Sequence, residues 1–456
     1  MKKISFIAFA FLLAIAAQSK VTYKFRISLK DKKNTEYSLD KPQQFLSEKA
    51  ILRRTKQKLA VDSTDLPVVG KYIKAIRGTG AEILVTSKWN NTVTVRCADS
   101  LLVNRIASLP FVSGAELVWM GQEQAVSTDA ARKDTVTNKL EKTDNYYGKA
   151  FRQIEIHNGQ KLHEAGFRGQ GMTIAIIDGG FKNANQLKAL KSMKLLGIHD
   201  FVKPKSDLFE ENNHGMMVLS CMASNAPHSI VGTAPEASYW LLRSEDIDSE
   251  NLVEQDYWSA AIEFADSVGV DVVNTSLGYR TFDDSSKNYT YQDLDGLKTM
   301  ISRSAGMAAN KGMIVVCSAG NEGRGSWKKI TPPADAFNVI TVAAIDSSLV
   351  LAPFSSIGNT TDNRVKPDVS AIGQKSVVLK TNGEVGTANG TSFSSPTFCG
   401  LVTCLWQSCP ELTAKQVIEL VRKSCNHSAF PDNIYGYGVP DVYKAYLSVH
   451  SEIANK

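Results

Sequence analysis

Five short runs in the back two thirds of the chain, 173–178, 238–242, 270–275, 312–318 and 339–344, are largely apolar, with Asp271 and Asn274 interrupting the third, and they govern what it can fold into. Each is short for a helix and rich in Val, Ile and Leu, so each reads as a strand buried on both faces. Helical patterns at 251–267 and 297–310 lie between several of them. Apolar strands separated by helices call for a mostly parallel sheet, because parallel neighbours need a crossover, and crossovers leave helices on both faces. The expected class is therefore α/β. In such folds the working side chains collect beyond the C-terminal ends of the strands.

The front of the chain obeys another pattern. Strand-like 21–27, a helix over 65–76, strands at 82–86 and 92–97, a helix carrying Leu101, Leu102, Val103 and Ile106 behind an Asp99-Ser100 cap, and a strand over 111–119 follow one another. The order β-α-β-β-α-β predicts a small α+β unit on the ferredoxin-like plan. Residues 41–58 read as an additional, highly charged helical insertion. Ahead of this unit, Lys2 and Lys3 precede an apolar stretch over 4–17 broken only by Ser5, with small residues at Ala14, Ala16, Ala17 and Ser19. That is the layout of a secretory signal peptide, and it is too short for a comfortable membrane span. Between front and back, 122–145 is polar and reads as an exposed, protease-accessible linker. The expected division is a signal over 1–19, a front unit over 20–121, a linker with a processing site over 122–147 and a back unit over 148–450. A chain of 456 residues suits two folded units.

Net charge excludes little but is unevenly spread. Of the +6 total, residues 20–124 hold 18 Lys/Arg against 10 Asp/Glu, so a basic front precedes a mildly acidic back. Ordinary surface charge accounts for this by itself; a sharper reading is that the two units attract each other. The basic residues are scattered and no recognition motif accompanies them, which argues against nucleic acid. Seven cysteines match no zinc pattern. Most sit in apolar runs and read as small core residues, with a disulfide among the last four left open.

Four strand ends and helix starts carry the chemistry. Asp178 ends the first apolar run, where a carboxylate is costly unless paired; no Gly-rich phosphate loop accompanies it, which lowers a nucleotide reading. His214 opens an apolar, small-residue helix and is followed by Gly215. Ser392, in Gly390-Thr391-Ser392-Phe393-Ser394-Ser395-Pro396, stands at the start of another buried helix. There N–H groups and the dipole favour negative charge, and Pro396 is expected within the first turn. Ser318-Ala319-Gly320-Asn321 follows a strand, and the Asn321 amide offers a donor to a developing oxyanion. Taken singly, these are also a strand-end cap, a structural histidine, a helix cap and a turn asparagine.

Together the four segments, in this order, with 36 residues from Asp178 to His214 and 178 from His214 to Ser392, resemble the subtilisin-like serine protease family (subtilases, peptidase S8) over about 148–447. The resemblance implies a subtilisin-like catalytic domain and a triad of Asp178, His214 and Ser392. It implies an oxyanion hole at Asn321 with the Ser392 N–H. Ser276, Leu277 and Gly278 would pair with extended substrate and wall the primary specificity pocket, and the small Ala319 and Gly320 would leave room for a substrate backbone. Segments 45–50 through Arg53-Arg54 and 109–112 look like those of bacterial secreted subtilases. The front unit would then be a prodomain that blocks the cleft as an intramolecular inhibitor, with Val118-Trp119-Met120-Gly121 nearest to it.

Two positions depart from the common pattern, Gly179 after the aspartate and Met216 two residues after the histidine. The implied activity is that of an exported serine endopeptidase on protein or peptide substrates, with a periplasmic, cell-surface or extracellular location. No cofactor is needed for its chemistry, and structural calcium is left without assigned residues. Two rivals are carried: a catalytically silent subtilase-fold protein that binds a partner with its prodomain retained, and another serine hydrolase such as an esterase. The absence of a G-x-S-x-G elbow around Ser392 lowers the second.

Overall fold

The computed structural model describes residues 21–122 and 135–454. The expected signal, 1–19, and residues 123–134 of the expected linker lie outside the described residues.

In the front unit, β1 (Val21–Leu29), β2 (Glu82–Ser87), β3 (Thr92–Cys97) and β4 (Val112–Gln122) form an antiparallel sheet in the order β2-β3-β1-β4. Helices Gly70–Gly78 and Leu102–Ala107 complete the ferredoxin-like plan. On β3, Val93 and Val95 join Phe25, Ile27, Ile76 and Ile106 in a core of the unit's own. The charged insertion is the helix Glu48–Lys56, started by Ser47, whose side chain accepts from the Ala50 N–H. The helix expected from Asp65 begins only at Gly70, because Asp65 is drawn into ion pairs with Arg54 and Lys311.

The back unit is built on β5 (Thr173–Asp178), β6 (Lys194–Asp200), β9 (Ser238–Arg243), β10 (Val272–Thr275), β11 (Ile314–Ser318), β12 (Ile340–Ile345) and β13 (Val369–Ile372). They form a seven-stranded parallel sheet in the order β13-β12-β11-β10-β5-β9-β6. Two small hairpins lie outside it, β7 (Asn225–Ala226) with β8 (Ile230–Val231), and β14 (Ser376–Leu379) with β15 (Val385–Ala388). Alternation along each strand feeds two cores. Ile174 and Ile176 pack with helices His214–Ala223 and Thr391–Ser408 on one face. Ala175 and Ile177 pack with Val253–Ser267 and Met300–Asn310 on the other. All seven cysteines are buried and free, so the disulfide left open among the last four does not form. Among the described residues no helix is long and apolar enough to cross a membrane.

The front sheet lies against the helix Val253–Ser267 through charge. Arg26 pairs with Asp256 at 2.6 Å, and Lys49 with Asp271 at 2.7 Å. Arg53, Arg54 (2.8 Å) and Lys88 (3.5 Å) converge on the buried Asp266. Front-unit cations on back-unit carboxylates thus make most of the attraction read from the charge imbalance, and the back unit's Lys311 reverses the sense on Asp62 at 3.0 Å and Asp65 at 2.8 Å. The described part of the expected linker runs along the back unit: the Thr137 and Asn138 N–H groups donate to Asn382 O at 2.9 Å, and Tyr147 is buried.

Candidate active site

Asp178 ends β5 fully buried. Its Oδ1 accepts from the Gly179 N–H at 2.8 Å and faces His214 Nδ1 at 2.7 Å. The contact needs the start of the helix His214–Ala223 to press on the strand end. A Cβ at Gly215 would stand 2.5 Å from Gly180 O and 2.9 Å from Asp178 Cβ, so only glycine lets the histidine approach. The Asn212 side chain accepts from the His214 N–H at 2.7 Å and fixes where that helix begins. Burial disfavours the charged ring, but the Asp178 carboxylate, and more weakly Glu245, outweigh it and hold the His214 pKa above its ordinary value. The His214 side chain keeps 31% of its surface exposed.

Ser392 is the second residue of the helix Thr391–Ser408. Pro396 lies past the first turn, inside that helix, which corrects the expectation. Proline has no N–H to give to the carbonyl four residues back. Ser276 Oγ supplies the missing donor, reaching Ser392 O at 3.0 Å. Ser276, expected among the substrate-binding residues, therefore has its side chain committed to the helix that carries Ser392. Ser392 Oγ faces Ser276 O at 3.4 Å and makes no hydrogen bond to His214. Their neighbourhood is held by Phe393, whose ring centroid is 5.9 Å from that of His214.

Asn321 is anchored by the same helix start. Its Oδ1 accepts from the Thr391 N–H at 2.9 Å and from Thr391 Oγ1 at 3.0 Å, while the Gly320 N–H donates to Thr391 Oγ1 at 3.2 Å. With both carbonyl lone pairs taken, the Asn321 NH₂ is left free as a donor. A cavity of about 380 Å³ opens beside Asn321 and Gly390, lined also by Arg324, Phe354 and Lys375. Leu277 and Ala319 are buried and Gly278 is exposed. Thr331 Oγ1 lies between two glycines, 2.3 Å from where a Cβ on Gly278 would be and 2.9 Å from one on Gly320. Thr331 and Thr391 were not singled out in the sequence. Thr391 lay inside the serine motif, but its partner is distant along the chain.

A model of the subtilase family, peptidase S8, matches residues 169–438. The chain belongs to the subtilase family. A peptidase S8 propeptide model of the Bacteroidota type matches residues 24–137, so this subtilase is built as a protease zymogen with its own propeptide. It is 28% identical over 289 residues to subtilisin NAT of Bacillus subtilis subsp. natto, covering 62% of this chain and 68% of that one. It is equally similar, 28% over 315 residues, to the serine protease AprX of Bacillus subtilis, covering 62% and 66%. The fold is shared with MycP1 from Mycobacterium smegmatis at a TM-score of 0.52 and 22% identity, over 69% of this chain and 87% of that one.

Proposed function

We propose that this subtilase is an exported serine endopeptidase working through an acyl-enzyme, made as a zymogen silenced by its front unit. Ser392 Oγ attacks the scissile carbonyl. His214 takes its proton and returns it to the leaving amine, and Asp178 fixes the ring's tautomer and stabilises the imidazolium. The Asn321 NH₂ and the Ser392 N–H receive the oxyanion. Water then repeats the sequence on the acyl group. The observation that carries the reading is the 2.7 Å Asp178–His214 contact, beside a helix-start serine that shares Thr391 with Asn321. The Ser392–His214 hydrogen bond is expected to form as substrate enters, since such bonds are often loose in free enzymes.

A fluorophosphonate should label Ser392 in the wild type and fail on Ser392→Ala. The wild type should cut itself within 120–146, and the variant should stay whole. The turn of Ser392 Oγ toward Ser276 O is what favours the rival, a catalytically silent binding protein. An intact, unlabelled wild type would decide for the rival.

A further inference from the structure

Next to His214 lies a group of carboxyls that peptide hydrolysis does not use. Glu245 follows β9, the neighbour of β5. A Cβ added at Gly179 would stand 3.9 Å from Glu245 Cβ, which puts this glutamate beside the end of β5. Glu254 lies in the first turn of the helix Val253–Ser267 and is wholly buried. One of its oxygens accepts from the Asp246 N–H at 3.3 Å, and the other has no partner in the protein. Glu245 Oε2 and Asp246 Oδ1 are likewise buried without partners. Tyr279, one residue past Gly278, is independent of this loop. It is 1% exposed, its hydroxyl has no partner, and the charges that bear on it are Glu245, Glu254, Glu250 and Asp178.

The cations nearby are spoken for. Arg243 binds Asp200 at 3.0 Å, Glu211 at 3.2 Å and Gly179 O at 3.1 Å, and His214 is held by Asp178. Asp283 adds a further acid beside Glu250. Burial pushes Glu245 up to about 8 and Glu250 to about 7. A helix dipole explains one first-turn carboxylate, Glu254, and not Glu245 or Glu250. Among the described residues no group of three or more His, Cys, Asp or Glu is arranged to hold a metal ion. Buried acceptors left unpaired are costly. A cation with several N–H donors would answer them.

We propose that Glu245, Glu250 and Glu254 with the Tyr279 hydroxyl form a subsite for a positively charged nitrogen of the bound peptide, from an Arg or Lys side chain or from the peptide's own α-ammonium. Glu245 and Glu250 are only partly covered, so the group is open to a ligand from their side. The site deepens the peptidase reading and rests on it.

The test uses the self-processed enzyme and fluorogenic peptides carrying Arg, norleucine or Glu in turn at each of four positions before and two after the cleaved bond, with free or acetylated N-termini. At one position Arg should exceed norleucine at least tenfold in kcat/KM, and the preference should grow between pH 6 and 9 as the carboxyls ionise. If the α-ammonium is the source, acetylation should cause the tenfold loss instead. Glu245→Gln and Glu250→Gln should each shrink the ratio several-fold; where a variant fails to fold, the wild-type series decides alone. Turnover indifferent to both cation and acetylation, with Ser392 still labelled, overturns the subsite and leaves the peptidase reading standing. No labelling and no turnover removes both.

Discussion

Thr391 makes three hydrogen bonds that tie the strand end 319–321 to the start of the serine helix. Its part in the proposed chemistry is to aim Asn321, without touching substrate. Losing an oxyanion donor costs about 3–4 kcal/mol of transition-state stabilisation, and mis-aiming it should cost part of that. Thr391→Val should therefore lower kcat about 10–100-fold with KM little changed, and Thr391→Ser should restore most of it. Equal changes in kcat and KM across the pair would refute the positioning role. Sequence alone could mark Asp178, His214, Ser392 and Asn321, because each sits at a strand end or helix start with a telling neighbour. It could not mark Thr391 as a clamp or Ser276 as a brace, because those roles exist only through partners 70 and 116 residues away.

Among the elements, the helix Thr391–Ser408 carries a proline where its own ladder should run. Pro396→Ala would return an N–H to compete with Ser276 Oγ for Ser392 O. Interior proline costs a helix about 3 kcal/mol, so the variant should melt several degrees higher while kcat falls, measured by thermal unfolding beside peptide turnover. A variant both less stable and equally active would show that the kink is not held by Ser276. The buried strands were legible because they are apolar on both faces. The strand β6 was missed because it is an edge strand whose Leu195, Leu196 and Ile198 stay exposed, which leaves no clean alternation. The strand β13 was missed because it is only four residues long and follows Pro367.

At the scale of the molecule, the two units meet over carboxylates taken out of water. Glu263 is buried and accepts from Ser87 Oγ and from the Lys88 and Trp89 N–H groups of the front unit. Burial raises it to about 7 despite Lys88 and those donors. A carboxyl raised in the folded state lends stability that is complete below its ordinary 4.5 and lost as pH climbs through about 7. Glu245 and Glu250 act in the same sense, and the three carboxyls outweigh the buried His157 and His163, which are held down to about 4 and work the other way only up to their ordinary 6.5. The whole Ser392→Ala chain should thus unfold at lower temperature at pH 8 than at pH 5. Glu263→Gln should flatten that difference by about 3 kcal/mol at most, the worth of a shift from 4.5 to about 7. An unchanged slope in the variant would remove Glu263 from the account.

The seven sealed thiols have a consequence for how such a chain matures. None is bridged, and burial, helped at Cys317 by Asp368 and Asp335, lifts those of Cys221 and Cys317 to about 12, far from the reactive thiolate. The fold asks nothing of an oxidising catalyst, and its cohesion is indifferent to reductants. Alkylating reagents would meet these sulfurs only when the interior opens, so their uptake would keep time with each unfolding event.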